Sequence, residues 1–429
     1  MFGFANFLLL ALFAAAVFDL IFALARGGGL RGALHGLWNT PHLLFGQQLA
    51  EWRLQLGRIL FAAGLAAYEI SVVFCNSMAR QNWAWVQGVM SPVLEWLAFL
   101  CFGAKILFGT RYTWRELLAG GALYFIARWV YFNSQNIWWI GIVVAVLAAK
   151  DVPLRRPLQL YFASGCAAMA VVLALHFAGI VAPDLTSERM GALRGTYGYG
   201  HPNTFGGLVF GLVLAYALLR AQKVRWVDCL LVFAVGVFLL VGPASRSAAL
   251  CTLALAVGLV FCRLRAGHSV PRWWPGTCAG MVGLTAAVSY LLPLLVIKVG
   301  PWNNDIGPAW LAKLDSLLTC RISLTWMAYR LLDVKIAGQV FNWPTVDNSF
   351  AFALFQFGPV VAALLGILFA AALWGHAKQG RRVEVCCLFA MLAYAYMEVQ
   401  PFHLTTNPTA LLLCGAVFAQ TSARWQKIE

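Results

Sequence analysis

From Phe2 almost to the C-terminus, apolar runs close to the ~20 residues that carry an α-helix across a hydrocarbon core alternate with short polar connections. Runs that are apolar on every face have no solvent side to offer, so a water-soluble core cannot house so many of them. Spans are expected at 2–25, 57–77, 84–104, 116–132, 135–149, 158–182, 204–219, 226–242, 246–262, 276–297, 349–374, 383–399 and 404–420. That is about thirteen, within a range of 12 to 14, and the fold class is all-α, a polytopic membrane protein. Composition agrees: 62% of the residues are hydrophobic and 11% charged. The fourth and fifth runs are short and closely joined, and 32–50, with Trp38, Pro41 and Trp52 nearby, reads as interfacial or re-entrant. The first run lacks the basic flank and small-residue cleavage site of a signal peptide and is expected to stay in place. The 11 cysteines lie mostly inside apolar runs, with Cys320 in a large loop, and spell no disulfide framework or metal motif.

Sidedness follows from the basic residues. Alternate connections carry Arg26, Arg31, Arg53 and Arg58, then Lys105, Arg111 and Arg115, then Lys150, Arg155 and Arg156. The series continues with Arg220, Lys223 and Arg225, Arg263, Arg265 and Arg272, Lys378, Arg381 and Arg382, and ends at Arg424 and Lys427. These loops are expected to be cytoplasmic, and they account for the net charge of +15 without a nucleic-acid partner. The opposite loops, at 183–203, 243–245, 298–347 and 400–403, then face outward. No internal repeat and no soluble domain are visible. The chain divides into membrane helices over 1–182, an outer loop at 183–203, helices over 204–297, a long outer loop at 298–347, and helices with a cytoplasmic tail over 348–429. Within the long loop Leu311, Leu314, Leu318, Ile322, Thr325 and Tyr329 recur at helical spacing, which predicts one amphipathic helix against the membrane or the bundle.

The chemistry-bearing residues gather on the outward loops. The stretch RGTYGYGHPNTFGG, Arg194 to Gly207, sets glycines and then Pro202 just ahead of a span, so Arg194 and His201 stand where a helix begins. A helix start favours an anion, and the arginine is a permanent cation. An ordinary glycine-rich turn capped by Asn203 or Thr204 is the plainer reading. Arg246, in GPASRSAAL, and Arg321, in LDSLLTCRISLTW, are two more arginines on the side where sidedness favours none. Three converging guanidinium groups suit a diphosphate, unless Arg321 pairs locally with Asp315 or Asp333 or the side chains snorkel to headgroups. Asp347, in VDNSFAFALFQFG, is either the N-cap of the following helix or a base, and Asn348 follows it. Glu398 ends a span, where pairing with an arginine is its expected structural role. His201 and His403 are the outward histidines, and either suits proton transfer near neutral pH. No Asp-x-Asp pair or outward carboxylate and histidine cluster offers a divalent-metal site, so neither metal nor cofactor is expected.

In their order along the chain, GYGHPNTFGG, the SRS turn, LDSLLTCRISL, VDNSFAFALFQFG and the glutamate before the last outer turn resemble the Wzy-type polysaccharide polymerases of the O-antigen polymerase and ligase superfamily. The resemblance covers roughly residues 190–405. It implies a GT-C-like glycosyltransferase at the outer face of a bacterial cytoplasmic (inner) membrane. Its substrates would be polyprenyl-diphosphate-linked oligosaccharides as donor and acceptor, and a chain-length regulator and a flippase of the same pathway are implied partners. Carried onto this sequence, Arg194, Arg246 and Arg321 would hold the diphosphate, His201 and Asn203 would build the turn around it, and Asn348, Glu398 and His403 would support the site. Asp347 stands where related ligases often have a histidine, and with His201 it is a candidate base. Two rivals remain: ligase-type transfer of a finished glycan to another acceptor, and a lipid-linked saccharide flippase, which would want basic residues lining a path through several spans.

Overall fold

The computed structural model describes residues 2–26, 29–45, 51–181, 187–189, 192–296 and 308–418. Lys298, Arg424, Lys427 and the tail from residue 419 lie outside the described residues. In chain order the helices are α1 (Phe2–Ala25), α2 (Gly29–Asn39), α3 (Glu51–Cys75), α4 (Ala79–Asn82), α5 (Ser91–Phe108), α6 (Trp114–Ser134), α7 (Ile137–Ala148), α8 (Arg155–Phe177) and α9 (Pro202–Leu219). The second half holds α10 (Trp226–Val241), α11 (Arg246–Leu264), α12 (Trp274–Leu291), α13 (Ala309–Leu317), α14 (Arg321–Leu331), α15 (Ser349–Phe352), α16 (Pro359–Lys378), α17 (Arg382–Met397) and α18 (Cys414–Val417). The described strands are two-residue and three-residue pairs, such as β1 (His42–Leu43) against β2 (Arg111–Tyr112).

Eight described helices are long and apolar enough to cross a membrane: α1, α3, α5 with the π turn before it, α8, α9, α11, α12 with the turn after it, and α16. The molecule is an all-α, multi-pass membrane protein. The other five expected spans also fold as helix but are shorter or more polar: α6, α7, α10, α17 and the segment Pro408–Val417. Their starts follow local chemistry. Thr113 and Glu116 form a reciprocal capping box on α6, the Asn136 side chain caps α7, and Pro275 and Pro359 occupy first-turn positions where no N–H is needed. Outward faces stay apolar, as with Phe7, Leu10 and Phe13 on α1 and Val227, Leu230 and Val241 on α10, which suits lipid rather than water.

Two expected elements come out differently. The run 349–374 is interrupted: α15 and a π turn end at Gly358 (φ 86°), and α16 starts afresh at Pro359. The cause is a close backbone crossing, since a Cβ on Gly358 would stand 2.1 Å from the Ile336 carbonyl oxygen and one on Gly338 2.1 Å from that of Gln356. The single amphipathic helix of the long loop is two, α13 and α14, broken where Thr319 (φ 58°) and Cys320 (φ 64°) turn left-handed. Asp315 drives the break: its Oδ1 accepts the N–H groups of Ile322 (2.8 Å) and Ser323 (3.1 Å), capping the second helix. Leu311 and Ile322 then pack with Val296, and the Tyr329 ring lies against Phe355, so both pieces rest on the bundle.

α9 and α11 begin, and α17 ends, at one end of the bundle. The opposite ends of the same three helices therefore gather Arg220, Lys223, Arg263, Arg265, Arg381 and Arg382 at the other. Basic loops and outward-type arginines are thus separated by the length of the helices.

Candidate functional site

The site is built from four stretches that are far apart in sequence. The start of α9 brings His201 and Asn203, the turn before α11 brings Ser245 to Ser247, the break before α14 brings Arg321, and the end of α17 brings Glu398. They meet because α9 carries no side chain at the contact. A Cβ on Gly206 would stand 2.3 Å from Ser245 Oγ, and one on Gly207 would be 1.8 Å from Gln400 Oε1.

Glu398 is the hub. Its Oε1 accepts from Arg321 Nη2 (2.5 Å), Ser247 Oγ (2.8 Å) and Asn203 Nδ2 (3.1 Å). Asn203 Oδ1 in turn accepts from Arg194 Nη2 (2.9 Å), which also donates to the Ala244 carbonyl (3.2 Å). One chain of charge-assisted contacts so links Arg194, Asn203, Glu398 and Arg321. Gln400 closes it from below α9, donating to the Asn203 carbonyl (3.1 Å) and accepting from the Tyr394 hydroxyl (2.7 Å). Arg321 pairs with Glu398, not with Asp315 or Asp333. All five of its N–H donors are taken, by the Met397 and Leu318 carbonyls, Thr319 Oγ1, Ser247 Oγ and Glu398. It has no spare donor for a ligand unless a partner lets go.

Two charged groups beside this network are differently placed. Arg246 opens α11 between Ser245 and Ser247, and its side chain is exposed with no hydrogen bond or ion pair among the described residues. A cation in the first turn of a helix opposes the macrodipole, so local structure gives it no reason to be there. Asp347 is half-buried and its carboxylate takes no hydrogen bond among the described residues. The helix cap expected of it belongs to Asn348. The Asn348 Oδ1 accepts from Phe350 N (2.9 Å) and Ala351 N (3.0 Å), while its Nδ2 donates to Ser289 Oγ and the Tyr396 carbonyl, both at 3.1 Å. Burial pushes the Asp347 carboxyl above the usual carboxylate range, and the charges of Arg321 and His201 offset this only in part. Ser349 donates to the Glu398 carbonyl (2.5 Å), which ties the Asp347 segment to the hub.

The histidines separate. His201 is exposed and its Nδ1 accepts the Asn203 N–H (3.1 Å), capping α9. In that tautomer the proton sits on Nε2, so taking a second proton would break the cap. His403 is not part of the network: its ring centroid lies 3.7 Å from that of Trp138, and burial lowers its pKa to about 3. A lowered pKa disfavours the protonated ring, which tells against the proton transfer expected from its outward position. Of the glycines in the 194–207 stretch, Gly198 uses a positive φ (81°) while Gly195 and Gly200 do not. Compared with models of protein families, with curated proteins and with solved structures, the chain matches none. The site therefore stands on its own geometry.

Ser247, Ser349 and Gln400 escape the sequence reading. Serine and glutamine carry no charge, so neither sidedness nor desolvation makes them conspicuous; only Ser247 has a hint, its place beside Arg246. Among the described residues no three or more His, Cys, Asp or Glu side chains group as metal ligands would.

Proposed function

We propose that the protein is an integral membrane glycosyltransferase that polymerises polyprenyl-diphosphate-linked repeat units at the outer face of a bacterial cytoplasmic membrane, with about thirteen spans and a GT-C-like plan. The observation that carries it is Asp347: a half-buried carboxylate with no hydrogen bond among the described residues, set within electrostatic reach of His201 and of Arg321, the arginine paired with Glu398. Structural roles leave such a group unexplained, whereas a base must keep its lone pairs available. In the proposed step the acceptor hydroxyl attacks the anomeric carbon, its proton passes to Asp347, and the bond from that carbon to the diphosphate oxygen breaks. The leaving diphosphate carries the electron pair away and meets the positive field of Arg246 and Arg194. Arg321 is a positioning residue in this scheme, holding Glu398 and the turn before α14 and adding charge at short range. One displacement of this kind inverts the anomeric centre and needs no metal.

Ligase-type transfer would use the same parts with another acceptor. A flippase fits less well, because Arg128, the arginine deep within an expected span, donates to Asn6 Oδ1 (2.8 Å) and lies over the Phe132 ring. It is occupied by these neighbours, which leaves it less available to a passing anion. The test supplies purified protein in lipid vesicles with one polyprenyl-diphosphate-linked repeat unit, with and without chelator. A ladder of product lengths that survives the chelator and disappears in Asp347→Asn is the expected result. Lipid-linked sugar crossing the vesicle wall without a ladder would replace the enzyme by a flippase, and retention in the product linkage would rule out the single displacement.

A further inference from the structure

Several cations with no hydrogen bond or ion pair among the described residues lie at the other end of the bundle. The α9–α10 connection, the end of α11 and the α16–α17 turn enclose a cavity of about 480 Å³. The first two elements contribute one cation each to its lining, Lys223 and Arg263, the turn contributes Arg381 and Arg382, and Glu384 is the carboxylate there. An adjoining cavity of about 260 Å³ shares Lys223, Arg381 and Glu384 and adds Arg155 and Arg220.

Arginines on this face that serve the fold are visibly engaged. Arg220 Nε lies 3.1 Å from both Asp228 carboxylate oxygens, and Arg382 donates to the Arg265 carbonyl (2.6 Å) and to that of His268. Lys223, Arg263, Arg381 and Arg155 differ. Their side chains make no hydrogen bond or ion pair among the described residues, yet they converge on joined concave spaces. Spread over a flat surface, four cations would be screened by water and salt. Gathered around one cleft, with Arg155, Lys223 and Arg263 exposed and Arg381 half-buried, they repel one another and set up a positive potential that an anion with several acceptor oxygens relieves. We infer that this cavity binds a phosphate group, presented either by the headgroup of an anionic phospholipid or by a soluble phosphate. Two arginine forks and an ammonium suit its oxygens, and the space exceeds that of one phosphate, leaving room for the rest of a headgroup.

Binding is read without any transfer assay, at the far end of the helices from Glu398. The full chain is purified in a neutral detergent and its Tm followed while inorganic phosphate replaces chloride at constant ionic strength. It is also placed in nanodiscs of phosphatidylcholine with a rising fraction of phosphatidylglycerol. A ligand of the folded state raises Tm with its concentration. A rise with inorganic phosphate identifies a soluble phosphate, and one confined to phosphatidylglycerol identifies a headgroup. In either case Arg263→Gln/Arg381→Gln is expected to weaken half-saturation by about tenfold or more, while Arg156→Gln, an exposed arginine outside both cavities, leaves it unchanged. If the double variant does not fold, Lys223→Gln, which alters one exposed side chain, carries the same test. No rise with either probe, a rise that the cavity variants keep, or one that Arg156→Gln abolishes equally overturns the inference.

Discussion

Replacing Arg321 and Glu398 by glutamine, singly and together, separates what the pair does for the fold from what it does for chemistry. The residues are 7% and 5% exposed, and one carboxylate oxygen takes three donors, so the contact is a buried ion pair inside a hydrogen-bonded network. Removing one member of such a pair leaves the other charged and uncompensated, at about 3–5 kcal/mol. Arg321→Gln also strips donors from the Leu318 and Met397 carbonyls and Thr319, about 1 kcal/mol each where the shorter amide cannot reach them. Glu398→Gln keeps an acceptor for Ser247 and Asn203 and should sit at the lower end of the range. In the double variant no charge is stranded. Its loss is expected to fall short of the sum of the singles by about 2–3 kcal/mol. Unfolding in mixed micelles with rising sodium dodecyl sulfate measures all four corners of the cycle, and the product ladder is run on the same samples. The double variant is expected to fold but to make polymer about 100-fold more slowly, since the charge beside the diphosphate is gone. Additivity within about 0.5 kcal/mol would refute the coupling. A folded double variant with an unchanged ladder would remove Arg321 from the mechanism.

Asp347→Asn is expected to abolish synthesis without lowering Tm at neutral pH. Burial raises the folded-state pKa above the unfolded one, so the ionised carboxylate opposes folding above that raised value. The asparagine variant's advantage in Tm should shrink as pH falls through it toward the ordinary value of about 4. A clear loss of stability at pH 7 would mean that the carboxylate serves the fold instead. Arg246→Gln, at an exposed site, should change unfolding free energy by no more than about 0.5 kcal/mol and slow polymer formation about 100-fold; an unaltered ladder would take Arg246 out of the site. Gly211→Ala puts a Cβ 2.4 Å from the Thr405 carbonyl oxygen, and backbone cannot step aside as a side chain can, so a destabilisation of about 1–3 kcal/mol is expected in the same micelle assay.

Legibility in the sequence follows the strength of the physical signal. Apolar runs declare helices because the bilayer tolerates little else, and basic loops declare an end of the bundle because charge placement there is selected during insertion. Glu398 was legible as the partner of an arginine, since a carboxylate at that depth needs one. Which arginine it takes depends on how the chain folds back from the long loop, and nothing in LDSLLTCRISLTW forecasts the left-handed turn at Thr319 and Cys320. Helical spacing runs straight through it. The break is set by the Asp315 carboxylate reaching N–H groups seven and eight residues on, and it is what aims Arg321 at Met397 and Glu398 instead of along a continuous helix.

Asp347 and Asn348 show the limit at atomic scale. Either residue type caps a helix well, so adjacency to the span leaves the choice open. The surroundings decide it through donors. The capping side chain must also face the Tyr396 carbonyl and Ser289 Oγ, and Asn348 meets that carbonyl with an N–H. An ionised carboxylate in its place would bring two acceptors together without a proton, so the amide takes the cap and the neighbouring carboxylate is left within the fields of Arg321 and His201. Two residues that look interchangeable as caps thereby differ: one satisfies every polar atom of its side chain, and the other keeps its acceptors unspent within reach of the Arg321 charge, which is the condition a general base has to meet.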